Sequence, residues 1–198
     1  MFISKNLKFT IISLFLFLST FGFADDIEDS IKEGLDFYKK GQYKESVDSL
    51  NYATQLIQQQ LATKLEDFLP KPLSGWKIKK TTSQGVGGAM FGGGAAAENY
   101  YTKGDSSMDV QIITNSPIIS GVAMMMSNPM FATADGGKLT KIKGQKGIIN
   151  YDSQSQYGKL QILIDNRILV LLEGENIKES VLRDYANAID YDKLKEIE

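Results

Sequence analysis

The hydrophobic period of this 198-residue chain changes at Pro70 and Pro72, and that change decides what each part can become. Before the prolines, apolar residues recur every three or four positions, the spacing of one face of a helix. Ile27, Ile31, Leu35 and Tyr38 mark a first helix, and Gly41-Gln42 interrupts the run. Tyr43, Val47, Leu50, Ile57, Leu61, Leu65 and Phe68 mark a second, with Thr54 filling the single gap. The prolines end it, because proline has no amide proton and its ring clashes with the preceding turn. Beyond them the period is about two. Met108, Val110 and Ile112 alternate with Asp109 and Gln111, as on a strand buried on one side. Further strands are expected over 76–80, 98–103, 139–143, 148–152, 160–164 and 168–172, the last two joined by a tight turn at Asp165-Asn166. A short helix is expected over 118–126. Asn176 and Glu179 have capping-box spacing and open a last helix, whose inner face is Ile177, Val181, Tyr185 and Ile189. The expected fold class is α+β: an N-terminal antiparallel helical hairpin, then an antiparallel sheet of about six or seven strands with two helices.

Gly34, Phe37, Gly41, Tyr43, Ser46, Leu50 and Ala53 fall in the spacing of a tetratricopeptide repeat, which residues 27–58 resemble. In that family the small residues let two antiparallel helices cross closely, and the large ones fill between them. Ser30 stands where the family prefers tryptophan, and a single repeat makes no peptide-binding groove. The second helix, at about 39 Å, outruns the first, at about 21 Å. Its stripe over 57–68 therefore needs a cover. Either the C-terminal domain supplies it, or another chain does: a partner protein, or a second copy making a homo-oligomer through that face.

The start of the chain reads as an export signal. Lys5 and Lys8 precede the apolar stretch Phe9–Phe23, and Gly22-Phe23-Ala24 offers a small-x-small cleavage site before Asp25-Asp26. The stretch is shorter than the roughly 18 residues needed to cross a bilayer; an uncleaved anchor is the alternative. The expected layout is a signal peptide over 1–24, the hairpin over 25–69, and the α+β domain over 70–198. The expected location is the periplasm. Taking Lys5 and Lys8 from the 22 basic residues leaves 20 against 24 acidic, so the exported chain carries about −4 and no surface that calls for nucleic acid.

The chain has no cysteine and no histidine. That excludes disulfides, cysteine nucleophiles, Ser-His-Asp triads and histidine-ligated zinc. Carboxylate pairs and a Ser–Lys dyad are what a hydrolase reading would need. Asp105, Asp109, Asp135, Asp152, Asp165 and Glu173 are the acidic candidates, and each reads more simply as a turn or surface group. No catalytic, cofactor or metal residue is assigned, and the chain is expected not to be an enzyme.

Two segments stand out as candidate contact surfaces, the first of which reads equally as a mere connector between strands. Residues 85–97 carry no charge, and six of the first ten are glycine. No Gly-Lys-Ser/Thr follows, so the segment is not a phosphate loop. All six methionines of the exported chain, Met90, Met108, Met124, Met125, Met126 and Met130, lie within 90–130. Thioethers favour Cu(I) and also fill irregular apolar surfaces. Three consecutive methionines point in different directions on a helix, which favours the second use. If the two segments meet, Met90, Phe91, Met124, Met125, Met126, Met130 and Phe131 form one apolar patch. Such a patch would contact an envelope protein, an apolar ligand or the membrane periphery.

Leu69-Pro-Lys-Pro-Leu-Ser-Gly-Trp76, Ala89-Met-Phe-Gly-Gly-Gly94, Ser127-Asn-Pro-Met130, Ala134-Asp-Gly-Gly-Lys138, Gly144-Gln-Lys146 and Ala188-Ile-Asp190 resemble a family of uncharacterised exported proteins of Gram-negative bacteria. The resemblance implies no activity and no site residue. The element order from Gly75-Trp76 onward is similar to the PsbP/Mog1-like fold, whose members bind proteins or small ligands. The expected function is non-enzymatic binding in the envelope. The alternatives are a carrier of an apolar small molecule or envelope lipid, a methionine Cu(I) binder, and a carboxylate or Ser–Lys hydrolase.

Overall fold

The computed structural model describes residues 22–85, 93–128, 130 and 136–197. Contacts divide the chain into two compact units, Met1–Ile57 and Gln58–Glu198. The division falls inside a helix, upstream of the Leu69/Pro70 boundary that the prolines suggest. The physical reason lies in the side chains just past it: Leu61, Ala62, Leu65 and Leu69 are buried in the core of the second unit.

The first unit is a hairpin of α1 (Gly22–Lys39) and the opening turns of α2 (Tyr43–Leu65). Gly41 sits at φ 74°, and the Gln42 and Gly41 amides donate to the Phe37 and Tyr38 carbonyls, so α1 ends on a left-handed glycine. The helices meet through small residues. A Cβ on Gly34 would lie 2.8 Å from Cγ of Leu50, and Ser46 Oγ donates to the Gly34 carbonyl at 2.8 Å. Ser30 and Ala53 are buried along the same seam.

The second unit is a seven-stranded antiparallel sheet in the order β1-β2-β3-β7-β6-β5-β4. The strands are β1 (Lys77–Gln84), β2 (Ala95–Lys103), β3 (Ser106–Thr114), β4 (Lys138–Ile142), β5 (Gln145–Asp152), β6 (Tyr157–Ile164) and β7 (Ile168–Glu175). The chain makes two meanders, β1–β3 and β4–β7, and joins them by pairing β3 with β7. Asp165 and Asn166, at φ 47° and 53°, open the three-residue turn, 165–167, between β6 and β7. Lysines guard both edges: Lys77, Lys79 and Lys80 on β1, and Lys138 and Lys141 on β4.

One face of the sheet is covered over its central strands. Met108, Val110 and Ile112 of β3 and Leu160 and Ile162 of β6 pack there, together with Leu61 and Leu65 of α2. The far side of that core is α4 (Glu179–Ala188) and α5 (Tyr191–Lys195). An aromatic cluster binds the layers, with Tyr185 of α4 at 4.7 Å from the Tyr101 ring and 5.6 Å from Trp76. The Tyr101 hydroxyl donates to the Pro70 carbonyl and accepts from Asn99 Nδ2 at 3.0 Å, and burial pushes its phenol up to about 12. The other face is half covered, by α3 (Ile118–Ser127).

Three expectations change. The N-cap of α4 is Lys178 and makes no side-chain cap bond. Asn176 is instead left-handed at φ 52°, and its amide donates to the Asp105 carbonyl at 3.0 Å, tying it to the β2–β3 turn. Leu182 rather than Val181 is fully buried in α4, and α5 is an added helix, capped by Asp190 accepting from the Lys193 amide. Of the 57–68 face, Leu61 and Leu65 are buried in the chain's own core and Phe68 packs against it, whereas Ile57 stays exposed.

Leu65→Ala is expected to destabilise the sheet unit by about 3 kcal/mol, as for a fully buried leucine. Lys64→Ala, one residue away and exposed, is expected to stay within about 0.5 kcal/mol. Urea unfolding followed by Trp76 fluorescence distinguishes them.

Candidate contact surface

Helix α3 carries no charged residue. Ile119, Val122 and Met126, at three- and four-residue spacing, turn inward onto Ile113, Ile148, Leu163 and Leu169. Asn128 Oδ1 then accepts the Met130 amide at 3.1 Å as the chain leaves the helix. The outward side is uncharged and mixed, with Ser120 and Ser127 exposed beside methionines. Met124 is 71% exposed, Met125 37% and Met130 72%, and Leu139 on β4 is also exposed.

Between α3 and the β4–β5 edge lies a cavity of about 380 Å³, lined by Met126, Leu139, Thr140, Lys141, Lys146 and Gly147. Lys141 and Lys146 are direct cross-strand partners. Like charges placed so are unfavourable unless an anion or water separates them. Thr140 is held by Arg183 Nη1 at 3.1 Å, and that guanidinium is itself paired with Glu179 at 2.7 Å. A second cavity, of about 550 Å³, is lined by Lys64, Asp67, Phe68, Lys193, Glu196 and Ile197, with its charges balanced.

Of the expected patch, four residues are described. Met124, Met125 and Met130 are each exposed, whereas Met126 is buried in the core beneath α3 and Met108 in the core on the opposite face. Helix geometry spreads consecutive side chains by about 100°, so the sulfurs of 124–126 diverge. Met90, Phe91 and Phe131 lie outside the described residues, as does Asp135. Among the described residues, no group of three or more acidic side chains is placed to hold a metal ion.

The roots of the glycine-rich segment are described, and both need glycine. The Gly85 amide donates to Gln59 Oε1 at 3.3 Å, and a Cβ there would lie 2.8 Å from the Gln59 nitrogen. Gly94, at φ 99°, would put a Cβ 2.3 Å from the Thr114 carbonyl oxygen. Ala95–Ala97 are already strand, so the loop is shorter than expected at that end. Ala96 packs against the α3 cluster, which places the loop's exit beside the root of α3.

The uncovered half of the same sheet face is polar. The apolar register sets Asp109 opposite Glu173, with Glu98 and Glu175 nearby. Burial first, then the Glu98 charge and a hydrogen bond to it, push Asp109 up to about 7; Glu173 and Glu175 add to the shift. Glu173 accepts from the Tyr157 hydroxyl, a bond that with burial pushes that phenol up to about 12, and Lys159 lies 3.9 Å away. A proton held near neutrality is what acid–base chemistry uses. Neither cavity touches this cluster.

No protein-family model, curated protein or solved structure matches the chain. Among the described residues no helix is long and apolar enough to cross a membrane.

Because the fold raises the Asp109 value, it favours the protonated form. That stabilisation is complete below about pH 4 and is lost as pH rises through about 7. Asp109→Asn is expected to raise the melting temperature by roughly 2–4 °C at pH 8 and to leave it unchanged near pH 4. Thermal melts at the two pH values check it.

Proposed function

We propose that the chain is an exported, non-enzymatic binding protein of the bacterial envelope, periplasmic once cleaved after Ala24. It would hold a protein partner against α3 and the β4 edge. One observation carries this reading: Met124, Met125, Met130 and Leu139 are all exposed beside a cavity, around a helix without charge. Isolated exposed apolar residues are ordinary, whereas a group of them on one ridge favours a contact. Methionine suits such a contact because its unbranched thioether adapts to irregular partners. The lysine-led apolar start supports the address. The resemblances to exported Gram-negative proteins, to the tetratricopeptide repeat and to the PsbP/Mog1-like fold belong to the same reading.

A second reading rests on Lys141 facing Lys146 above Met126 and Leu139. An apolar floor beneath two ammonium groups fits a ligand with an acyl body and an anionic head, as in a carrier of envelope lipid or a peripheral membrane contact.

A photo-crosslinking side chain at Met124 or Leu139, used in intact cells, separates the two. The expected result is one discrete protein adduct, reduced at least about tenfold by Met125→Asp. Adducts to lipid alone would transfer the assignment to the carrier reading, and no adduct at either position would remove both.

A further inference from the structure

The hairpin unit leaves large side chains uncovered. Ile31, Leu35 and Tyr38 on α1, with Tyr43, Val47, Leu50 and Ile57 on α2, are 43–66% exposed. Apart from Leu50, which packs over Gly34, they lie beside the seam that Ser30, Gly34, Ser46 and Ala53 fill. Two contacts join the stripes into one surface: the Tyr38 and Tyr43 rings stand 5.9 Å apart, and Leu50 lies over Gly34. We propose that this surface is a dimerisation face, on which a second copy of the chain packs two-fold and antiparallel to form a four-helix layer.

Area and charge argue for a second copy. The two tyrosines offer roughly 150–250 Å² each and the five aliphatic residues somewhat less, so these seven, about half exposed, amount to about 700 Å². That exceeds the largest apolar patch usual on a monomer. Doubled by a two-fold axis it comes to on the order of 1,400 Å², within the range of specific interfaces.

The charges are arranged end to end. Asp25, Asp26, Glu28, Asp29 and Glu33 crowd the start of α1 against the single Lys32, which Glu28 already binds at 2.8 Å. The tip, residues 37–44, carries Lys39, Lys40 and Lys44 and no carboxylate. An antiparallel two-fold arrangement sets each tip against the other copy's acidic end. A parallel arrangement would set tip on tip and acid on acid. The hairpin is thus complementary to itself in one orientation. This dimer involves neither α3 nor β4, so it stands or falls independently of the binding reading above.

The test is the mass of the purified protein by sedimentation equilibrium. A concentration-dependent dimer is expected, with Leu35→Glu and Val47→Glu giving monomers of unchanged far-UV circular dichroism. Lys39→Glu with Lys40→Glu should weaken association roughly tenfold, as should Asp25→Lys with Glu28→Lys. A mixture of those two reversed proteins should restore it, because the swapped charges meet again. A monomer at about 100 µM, a dimer that survives Val47→Glu, or a mixture that fails to recover would each overturn the proposal.

Discussion

The pairing of β3 with β7 is the contact on which the sheet unit depends. It closes a long loop, since Thr114 meets Ile168, and such closure costs chain entropy before it returns any contact. The return is apolar. Val110 lies opposite Leu172 and Ile112 opposite Val170, all fully buried. Slipping the register by one residue would turn each of these to the other face. The same register obliges Asp109 to sit opposite Glu173, which by itself is unfavourable. Burial of the core outweighs that repulsion, and the acidic pair is accommodated: the fold favours a proton at Asp109 up to about pH 7, and Tyr157 and Lys159 engage Glu173.

Once that seam exists, the layers follow from which face is wet. The face carrying Met108, Val110 and Leu160 is sealed by α2, α4 and α5. The opposite face is apolar toward Ile113, Leu163 and Leu169, where α3 covers it, and polar toward Asp109 and Glu173, where nothing described does. A helix that crosses from β3 to β4 over an apolar half-face needs an apolar inner side. In α3 the outer side exposes Met124 and Met125 beside Ser120 and Ser127, and those two methionines are what a core does not explain.

Much of the fold was legible because local rules were obeyed locally. Alternation at 108–112 marked a strand, Asp165-Asn166 marked its turn, and Pro70 marked the end of the helical region. The misses occurred where distant residues intervened. Asn176 had the spacing of a cap, yet the Asp105 carbonyl, remote in sequence, claims its amide. Asp109 and Glu173 looked like separate surface groups until the register paired them. The methionine cluster read as one feature, but Met108 and Met126 fill different cores, on opposite faces of the sheet. No spacing rule assigns a side chain to a face of a sheet whose strand order is not yet known.

Helix α2 shows the limit most plainly. Leu50, Ile57, Leu61 and Leu65 repeat on one helix face, and the sequence by itself determined that this face is apolar, because period and residue type are properties of the chain. What covers the face is another matter. Leu61 and Leu65 are buried in the sheet core, while Leu50 and Ile57 stay exposed. Tertiary structure alone decided that, since burial depends on which surface comes within contact distance, and the helical repeat carries no information about it.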